Sequence, residues 1–223
     1  MLDIVFRCDD FWLVNKPAGM SFHGESDTLG VIQTLKRDYP SHVFYPVHRL
    51  DKITSGLLVV ALHHEAAVTF GHMFEQHLIE KRYVAISNRK PKKKQGAVRG
   101  GMAPSRRGQW KLTKGLENLA VTQFFSAAFE GKRVFFLRPL TGKTHQIRVA
   151  LKSVGAPILG DERYGGEPSD RGYLHAYFLC FMWQGVKQEF RCSPNVGEHF
   201  SSAFCEFLES NFQETSLKWP SGQ

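Results

Sequence analysis

The chain has 223 residues, of which 42% are hydrophobic, so it is long enough to bury a complete core. It contains no run of about 18 apolar residues, and its first residues lack the basic-then-apolar pattern of a signal peptide, so we expect a soluble, cytoplasmic protein with no membrane partner. The formal net charge of +8 favours a polyanion over a basic protein as partner.

The first half of the chain alternates short apolar runs with turn residues. Ile4 to Arg7 and Phe11 to Lys16 flank a tight turn and are predicted to form a strand pair. A short helix with Leu29, Ile32 and Leu35 at helical spacing is expected next, capped by Ser26 or Asp27. The continuous apolar run Gly56 to Ala61 is typical of a strand that is buried on both faces.

The remaining pattern predicts three further helices and five further strands. The helices span Glu65 to Gln76, Thr144 to Val154 with Gly155 as its stop, and about Glu198 to Phe212, where Phe200, Phe204, Phe207 and Leu208 share one face. The strands are Tyr83 to Ile86, Ala120 to Phe125, Val134 to Leu137, Leu174 to Phe181 and Lys187 to Arg191. We therefore predict a single α+β catalytic domain, residues 1–223, around a large mixed, mainly antiparallel sheet flanked by helices.

Most of the positive charge lies in one segment. Residues 81–116 contain 12 of the 29 Lys and Arg residues and no Asp or Glu, which leaves 17 basic against 21 acidic residues elsewhere. Such a stripe is expected for a polyanion partner, although a lysine run alone is equally compatible with a solvated loop. Glycines among the charges, such as Gly96, Gly100, Gly101 and Gly108, predict that residues 88–116 form a mobile loop insertion.

No cofactor site is indicated. The four cysteines form no C-x-x-C pair, and the histidines lack a matching set of acidic or cysteine partners, so we expect no disulfide framework and no metal. The segment Gly142-Lys143-Thr144 is not a P-loop, because Leu137 stands where that motif needs a glycine.

The most informative segment is His48-Arg49-Leu50-Asp51, which precedes Thr54-Ser55-Gly56 and the buried strand. An aspartate in a polar loop before a buried strand can be held rigidly and stay accessible, as catalysis requires. Taken alone, the pattern leaves other interpretations open: Asp51 could cap a turn, His48 could be an ordinary surface residue, and Arg49 could contact a phosphate.

This segment resembles the His-Arg-Leu-Asp signature of RluA-type pseudouridine synthases, and further segments match the family's motifs in the family's order. They are Asn15-Lys16-Pro17-Ala18-Gly19, Lys81-Arg82-Tyr83, Leu140 to Val149, Gly160-Asp161 with Tyr164-Gly165, and Leu174-His175-Ala176. The matches cover most of the chain. The resemblance implies the pseudouridine synthase fold and an isomerase that needs no cofactor.

The resemblance also implies roles for residues. Asp51 is the essential carboxylate, and it acts either as a nucleophile or by removing a proton to generate a glycal. Arg148 pairs with that carboxylate and lowers its pKa, and Tyr83 offers an aromatic face to the target uracil. In the substrate-binding set, Arg49 fills the space left by the flipped-out nucleotide and Ile147 forms an apolar wall; the other members are His48, Lys81 and Lys143.

The chain departs from the family pattern at two positions. Lys143 stands where the late motif usually has arginine, and Ala150 replaces a frequent histidine. Lysine keeps the charge but loses the bidentate fork of arginine, so contacts with phosphate near the site are expected to differ.

Together these observations predict an RNA pseudouridine synthase that modifies specific uridines in structured RNA. We expect a monomer without a separate RNA-binding module before the catalytic domain, with transfer RNA as the favoured substrate and ribosomal RNA as the other. The competing hypothesis is a non-catalytic RNA-binding or RNA-chaperone protein that has kept the fold, against which the intact Asp51 and Arg148 argue.

Overall fold

A computed structural model describes residues 1–24, 28–212 and 217–220. The strands of the described residues are β1 (Asp3–Arg7), β2 (Phe11–Lys16), β3 (Tyr45–Pro46), β4 (Thr54–Ala61), β5 (Glu80–Ser87), β6 (Gln95–Pro104), β7 (Trp110–Thr113), β8 (Leu119–Phe129), β9 (Lys132–Pro139), β10 (Leu174–Trp183) and β11 (Val186–Arg191). The helices are α1 (Val31–Asp38), α2 (His64–Glu75), α3 (Gln146–Ser153) and α4 (Ser202–Asn211). Single 3-10 turns occupy Arg106–Gly108 and Glu162–Tyr164.

The chain forms two compact units that interleave in sequence. The first comprises Met1–Glu80 and His175–Cys192, and the second comprises Lys81–Leu174 and Ser193–Gln223. The expected α+β class with a mainly antiparallel sheet and flanking helices is confirmed. The single-domain organisation over residues 1–223 stays a prediction.

The strands of the first unit follow the order β1-β2-β4-β10, with β11 beside β10 and β3 beside β4. All eight residues of β4 are buried, as the apolar run predicts. The helix α2 packs Phe70 against Phe11 and Phe181, with ring centroids 5.2 and 5.4 Å apart, so aromatic contacts fill this core.

A glycine permits close packing at the start of β4. Gly56 has φ of +104°, and a Cβ at this position would lie 2.3 Å from the carbonyl oxygen of Ala176. A side chain is therefore excluded here both by the backbone conformation and by the space available.

The strands of the second unit follow the order β5-β9-β8-β6-β7, each antiparallel to its neighbours. The helix α3 packs Val149 into a cluster with Met102, Ala120 and Tyr164. Gly155 follows this helix with φ of +83°, so the predicted stop is confirmed. The predicted face of α4 is also buried through Phe204 and Leu208.

The prediction of a mobile loop at residues 88–116 is wrong for residues 95–104 and 110–113, which form β6 and β7. The glycines serve close strand packing. A Cβ at Gly101 would lie 2.5 Å from Oγ1 of Thr113 and 2.6 Å from the carbonyl oxygen of Gly115. The lysine run Lys92 to Lys94 lies between β5 and β6 and is exposed.

Two smaller expectations have different outcomes. The helix α1 begins at Val31 with Gly30 as its N-cap, and the proposed caps Ser26 and Asp27 lie outside the described residues. Of the helices formed by the described residues, none combines the length and the apolar composition needed to cross a bilayer.

Candidate active site

Asp51 lies in the segment between β3 and β4 of the first unit, three residues before β4 begins. Asp51 is half-buried, and its backbone carbonyl oxygen accepts a 3.0 Å hydrogen bond from the backbone amide of Thr54. The aspartate is therefore carried by a tight turn whose far end continues into a fully buried strand. Such a turn holds a carboxylate in place and leaves it accessible.

The side chain of Lys16 binds backbone carbonyl oxygens of this turn. Its side chain is fully buried, and its Nζ donates to the carbonyl oxygens of Thr54 at 2.8 Å and Pro17 at 2.9 Å, with a longer contact of 3.4 Å to Lys52. The amide of Gly19 also donates to Lys52, at 2.7 Å. A buried ammonium is stable only when such acceptors replace its water shell, so Lys16 ties the Asp51 turn to the end of β2.

Sequence reasoning assigned no role to Lys16, although it noted the motif that contains it. The available signal was a lysine at the last position of a strand that begins with four apolar residues, where an unpaired charge is costly to bury.

His48 fixes the segment that leads into the turn. Its Nε2 accepts a 2.9 Å hydrogen bond from the amide of Val59, and its ring stacks on Phe74 with centroids 4.4 Å apart and planes inclined by 27°. An imidazole that accepts from a backbone amide carries its proton on Nδ1. Arg49, the next residue, is exposed. His48 therefore positions the loop, and the neighbouring Arg49 is accessible to solvent.

A second buried contact in the first unit secures the start of β4. Oγ of Ser55 lies 2.8 Å from Nδ1 of His175, and Nε2 of His175 lies 2.7 Å from the carbonyl oxygen of Cys192. Because the carbonyl can only accept, His175 has its proton on Nε2 and accepts at Nδ1 from the serine hydroxyl. The sequence motif around His175 was noted without a role.

Tyr83 and Lys81 both lie on β5 in the second unit, two positions apart and therefore on the same face of the strand. Tyr83 is half-buried and is paired with Leu137 of β9. Burial lowers the pKa of the Lys81 ammonium, and its Nζ would lie 3.8 Å from a Cβ at Gly142. Lys81 thus lies beside the turn that carries Lys143.

Gln146 organises that turn. Its buried side-chain amide accepts at Oε1 from Oγ1 of Thr141 at 2.7 Å and from the amide of Lys143 at 3.0 Å. Its Nε2 donates to the carbonyl oxygen of Val121 and to Oγ1 of Thr122, each at 3.0 Å. All of the hydrogen-bonding capacity of this amide group is used, so the turn before α3 is rigid.

Arg148 lies on α3 next to Ile147, and both side chains are buried. Its Nε and Nη2 donate to Asp161 in a two-pronged ion pair, at 2.7 Å to Oδ2 and 2.8 Å to Oδ1. The arginine and aspartate side chains are 5% and 1% exposed. This fork geometry fixes the plane of the guanidinium group.

An aromatic ring supports the same arginine. The guanidinium carbon of Arg148 lies 4.9 Å from the ring centroid of Tyr164. The Tyr164 hydroxyl in turn lies 2.8 Å from Nδ1 of His145 and accepts from the amide of Trp110 at 2.8 Å. Sequence reasoning gave Asp161 and Tyr164 no role; the signal was their place in the Gly160-Asp161 and Tyr164-Gly165 motif.

The predicted site residues thus fall into two sets. The first unit brings together Asp51, Arg49 and His48 on the segment before β4. The second unit carries Tyr83 and Lys81 on β5, and Lys143, Ile147 and Arg148 in and before α3. The predicted pairing of Arg148 with the Asp51 carboxylate stays a prediction.

Comparison with known proteins bears on this arrangement. Residues 10–153 match the family model described as RNA pseudouridylate synthase. The chain is 44% identical over 200 residues to a protein of Haemophilus influenzae named uncharacterized RNA pseudouridine synthase, covering 88% of this chain and 89% of that protein. It is 32% identical to ribosomal large subunit pseudouridine synthase C of Rickettsia conorii, over 89% of this chain and 69% of that protein. It is 31% identical to tRNA pseudouridine synthase C of Haemophilus ducreyi, over 92% of this chain and 96% of that protein.

The solved structure of human RNA pseudouridylate synthase domain containing 1 superposes with a TM-score of 0.74 at 26% identity, over 87% of this chain and 84% of that one. The predicted pseudouridine synthase fold is therefore confirmed. The family match spans both Asp51 and Arg148. The chain belongs to the RNA pseudouridylate synthase family and is an isomerase that acts on RNA.

Proposed function

We propose that this protein converts specific uridines of structured transfer RNA into pseudouridine, with Asp51 as the catalytic carboxylate. The observation that carries the assignment is the Asp51 turn. It is half-exposed, it is braced by the buried Lys16, and it lies within the residues that match the family model. A carboxylate that is both accessible and held on a fixed turn meets the geometric requirement of catalysis.

The reaction moves the base without changing its composition. The bond between N1 of uracil and C1′ of ribose breaks, a bond between C5 and C1′ forms, C5 loses its proton and N1 gains one. Asp51 either attacks as a nucleophile or removes a proton from the sugar to give a glycal, and both routes need the ionised carboxylate. Arg148 pairs with that carboxylate and favours its ionised form.

The remaining residues hold the nucleotide. The Tyr83 ring stacks on the target uracil, a contact worth about 1–3 kcal/mol for a base on an aromatic side chain. The exposed Arg49 enters the space that the extruded nucleotide leaves, and extrusion is needed because a stacked base shields its glycosidic bond. Ile147 forms an apolar wall, while Lys81 and Lys143 bind the phosphate backbone beside the rigid turn. His48 acts through the loop that it positions.

Transfer RNA is proposed because the name of the relative from Haemophilus ducreyi specifies tRNA, and the alignment covers 96% of that protein. The alignment therefore spans nearly the whole length of that protein, at 31% identity. The relative from Rickettsia conorii, whose name specifies the large ribosomal subunit, is matched over 69% of its length and makes ribosomal RNA the second candidate.

Pseudouridine mapping of transfer and ribosomal RNA tests this proposal. RNA from wild-type cells and from cells lacking the gene is treated with a carbodiimide that marks pseudouridine, and the marked positions are compared. We expect at least one transfer RNA position to lose its mark and to regain it when the wild-type gene is restored. Complementation with Asp51→Asn should not restore it.

The matched control is Asp9→Asn, which removes one carboxylate from an exposed turn of the same unit. This variant should restore the mark. A position lost only from ribosomal RNA would move the substrate to the second candidate, and restoration by Asp51→Asn would contradict the catalytic assignment.

A further inference from the structure

A basic cleft of about 470 Å³ lies in the second unit, and none of the predicted site residues is among its lining residues. It is lined by the turn Glu162 to Gly165, by the end of α3 at Lys152 and Gly155, by Gln109 between β6 and β7, and by Arg89 and Pro157. Lys152 and Gly155 lie at the C-terminal end of α3, whereas Ile147 and Arg148 lie in its first turn. Tyr164 lies between the two, because it lines the cleft and its ring centroid is 4.9 Å from the guanidinium carbon of Arg148.

The walls of the cleft are held by direct contacts. Nε2 of Gln109 donates to the carbonyl oxygen of Arg163 at 2.6 Å, and the Trp110 amide donates to the Tyr164 hydroxyl at 2.8 Å. The ammonium of Lys152 lies 5.6 Å from the ring centroid of Tyr164. The hairpin formed by β6 and β7 is thus fastened to the 162–165 turn, and the cleft exists before any ligand arrives.

The charge of the cleft is positive. Arg89, Lys152 and Arg163 are exposed cations on its lining, against the single carboxylate of Glu162 among the lining residues that the structure describes. Glu167 lies outside the lining; it accepts from Asn88 at 2.5 Å, and its other oxygen is 3.8 Å from Nε of Arg89. Three cations and one anion leave a net charge of +2 on the lining.

The surroundings extend this charge. The exposed Arg106 and Arg107 form the turn next to Gln109, and Gly108 beside them accepts a long contact of 3.5 Å from Nη1 of Arg163. The whole segment 81–116, which includes this hairpin, has no acidic residue. The positive surface is therefore continuous from the cleft onto the hairpin, which suits an extended polyanion better than a small ligand.

We infer that this cleft binds the phosphate backbone of the substrate RNA at nucleotides beyond the target uridine. The inference rests on the proposed action on structured RNA and adds to it a second point of attachment. Arginine binds phosphate through a planar fork and lysine as a point charge, so Arg89, Lys152 and Arg163 supply the usual groups. Phosphate contacts fix register and carry no sequence information, so the cleft orients the RNA and leaves base choice to the site around Asp51.

The test is the salt dependence of RNA binding. The cleft variant carries Arg89→Gln, Lys152→Gln and Arg163→Gln. The control carries Lys36→Gln, Lys187→Gln and Lys218→Gln, three exposed lysines that lie outside both the cleft and the proposed active site. Both triple variants lose three positive charges, so any effect of net charge alone is equal. The probe is a twelve-nucleotide oligouridylate, whose binding reports backbone contacts without depending on which RNA is modified.

Each phosphate contact on a single strand contributes about 0.7 to the slope of log affinity against log salt. Loss of three contacts should flatten the slope by about 2 and weaken binding at 0.1 M salt on the order of a hundredfold. The control variant should keep the wild-type slope. An unchanged slope in the cleft variant, or equal flattening in both variants, would overturn the inference.

Two further measurements keep the outcome decisive. If the cleft variant fails to fold by circular dichroism, Arg163→Gln alone should still flatten the slope by about 0.7, and an unchanged slope would count against the cleft. Failure of the proposed function is a separate observation: wild-type protein would then form no pseudouridine in transfer RNA from cells lacking the gene. That result leaves the oligouridylate slopes as they are.

Discussion

Removal of the Asp161 carboxylate should destabilise the protein by several kcal/mol. Asp161→Ala leaves the guanidinium of Arg148 buried with two of its hydrogen bonds lost. A hydrogen bond to a charged group contributes about 1.5–3 kcal/mol, so two give about 3–6 kcal/mol. Breaking a buried ion pair by removing one partner costs about 3–5 kcal/mol, which agrees. We therefore expect a loss of about 4 kcal/mol, a large share of the 5–15 kcal/mol typical of a domain.

The measurement is equilibrium unfolding in urea, with the free energy of unfolding extrapolated to water. Glu162→Gln is the matched control, because this neighbouring carboxylate is exposed and should change the free energy by less than about 0.5 kcal/mol. A loss below about 1 kcal/mol in Asp161→Ala would refute the reasoning, because it would mean that water or another group replaces the carboxylate.

A double variant separates stability from catalysis. Arg148→Met with Asp161→Leu replaces both charges with apolar side chains, and such replacements of buried ion pairs are often neutral or stabilising. The double variant should therefore be more stable than Asp161→Ala and should still lack activity, because Arg148 is absent. A double variant as unstable as the single one would show that the pair matters for packing rather than for charge compensation.

Four further outcomes are expected. Asp51→Asn should abolish uridine isomerisation in single-turnover assays while RNA affinity stays close to wild type, because the carboxylate takes part in chemistry; residual turnover would contradict this. Tyr83→Phe should bind substrate RNA normally, whereas Tyr83→Leu should lose about 1–3 kcal/mol of binding free energy in filter-binding measurements; equal binding by both would argue against stacking. Lys16→Met removes the donor to backbone carbonyls of the Asp51 turn, and each buried carbonyl left without a partner costs about 1–3 kcal/mol of stability. The variant should therefore have a lower free energy of unfolding and a lower kcat. A wild-type kcat in the folded variant would show that the turn keeps its geometry without Lys16. The hydrogen bond to Asp10, and to a smaller extent the one to Glu65, raises the pKa of His63 above 6.5. The protonated ring therefore stabilises the fold fully below pH 6.5, and this contribution is lost as the pH rises through the raised pKa of the folded state. His63→Gln should remove this part of the pH dependence of the free energy of unfolding, and an unchanged pH profile would contradict the prediction.

Most of the secondary structure could be predicted because its signals are local. The apolar run of β4, the tight turn between β1 and β2, and the glycine after α3 each act within a few residues. The basic segment was mispredicted because charge and glycine content are also the signature of flexible loops. Two of its glycines, Gly100 and Gly101, allow close contacts with Thr113 and Gly115, and pairing between strands cannot be seen in composition.

The candidate site was accessible from the sequence only where motifs name residues. Asp51, Tyr83 and Arg148 were proposed in this way and stay predictions, whereas the residues that contact Arg148 and the Asp51 turn were given no role. Lys16 contacts Thr54 across 38 positions, and Arg148 contacts Asp161 across 13. Such partners become neighbours only in the folded chain, and no periodicity joins them.

Lys143, which stands where the family pattern usually has arginine, lies in a turn that Gln146 fixes by hydrogen bonds. The amide of Lys143 donates to Oε1 of Gln146, so the path of the turn is set by the backbone and by a buried glutamine rather than by the Lys143 side chain. We therefore expect that lysine in place of arginine leaves the path of this turn unchanged and alters only the side-chain group, from a two-pronged donor to a point charge. If Lys143 binds RNA as proposed, the difference falls on the phosphate contact, and the hydrogen bonds that fix the turn before α3 do not depend on it.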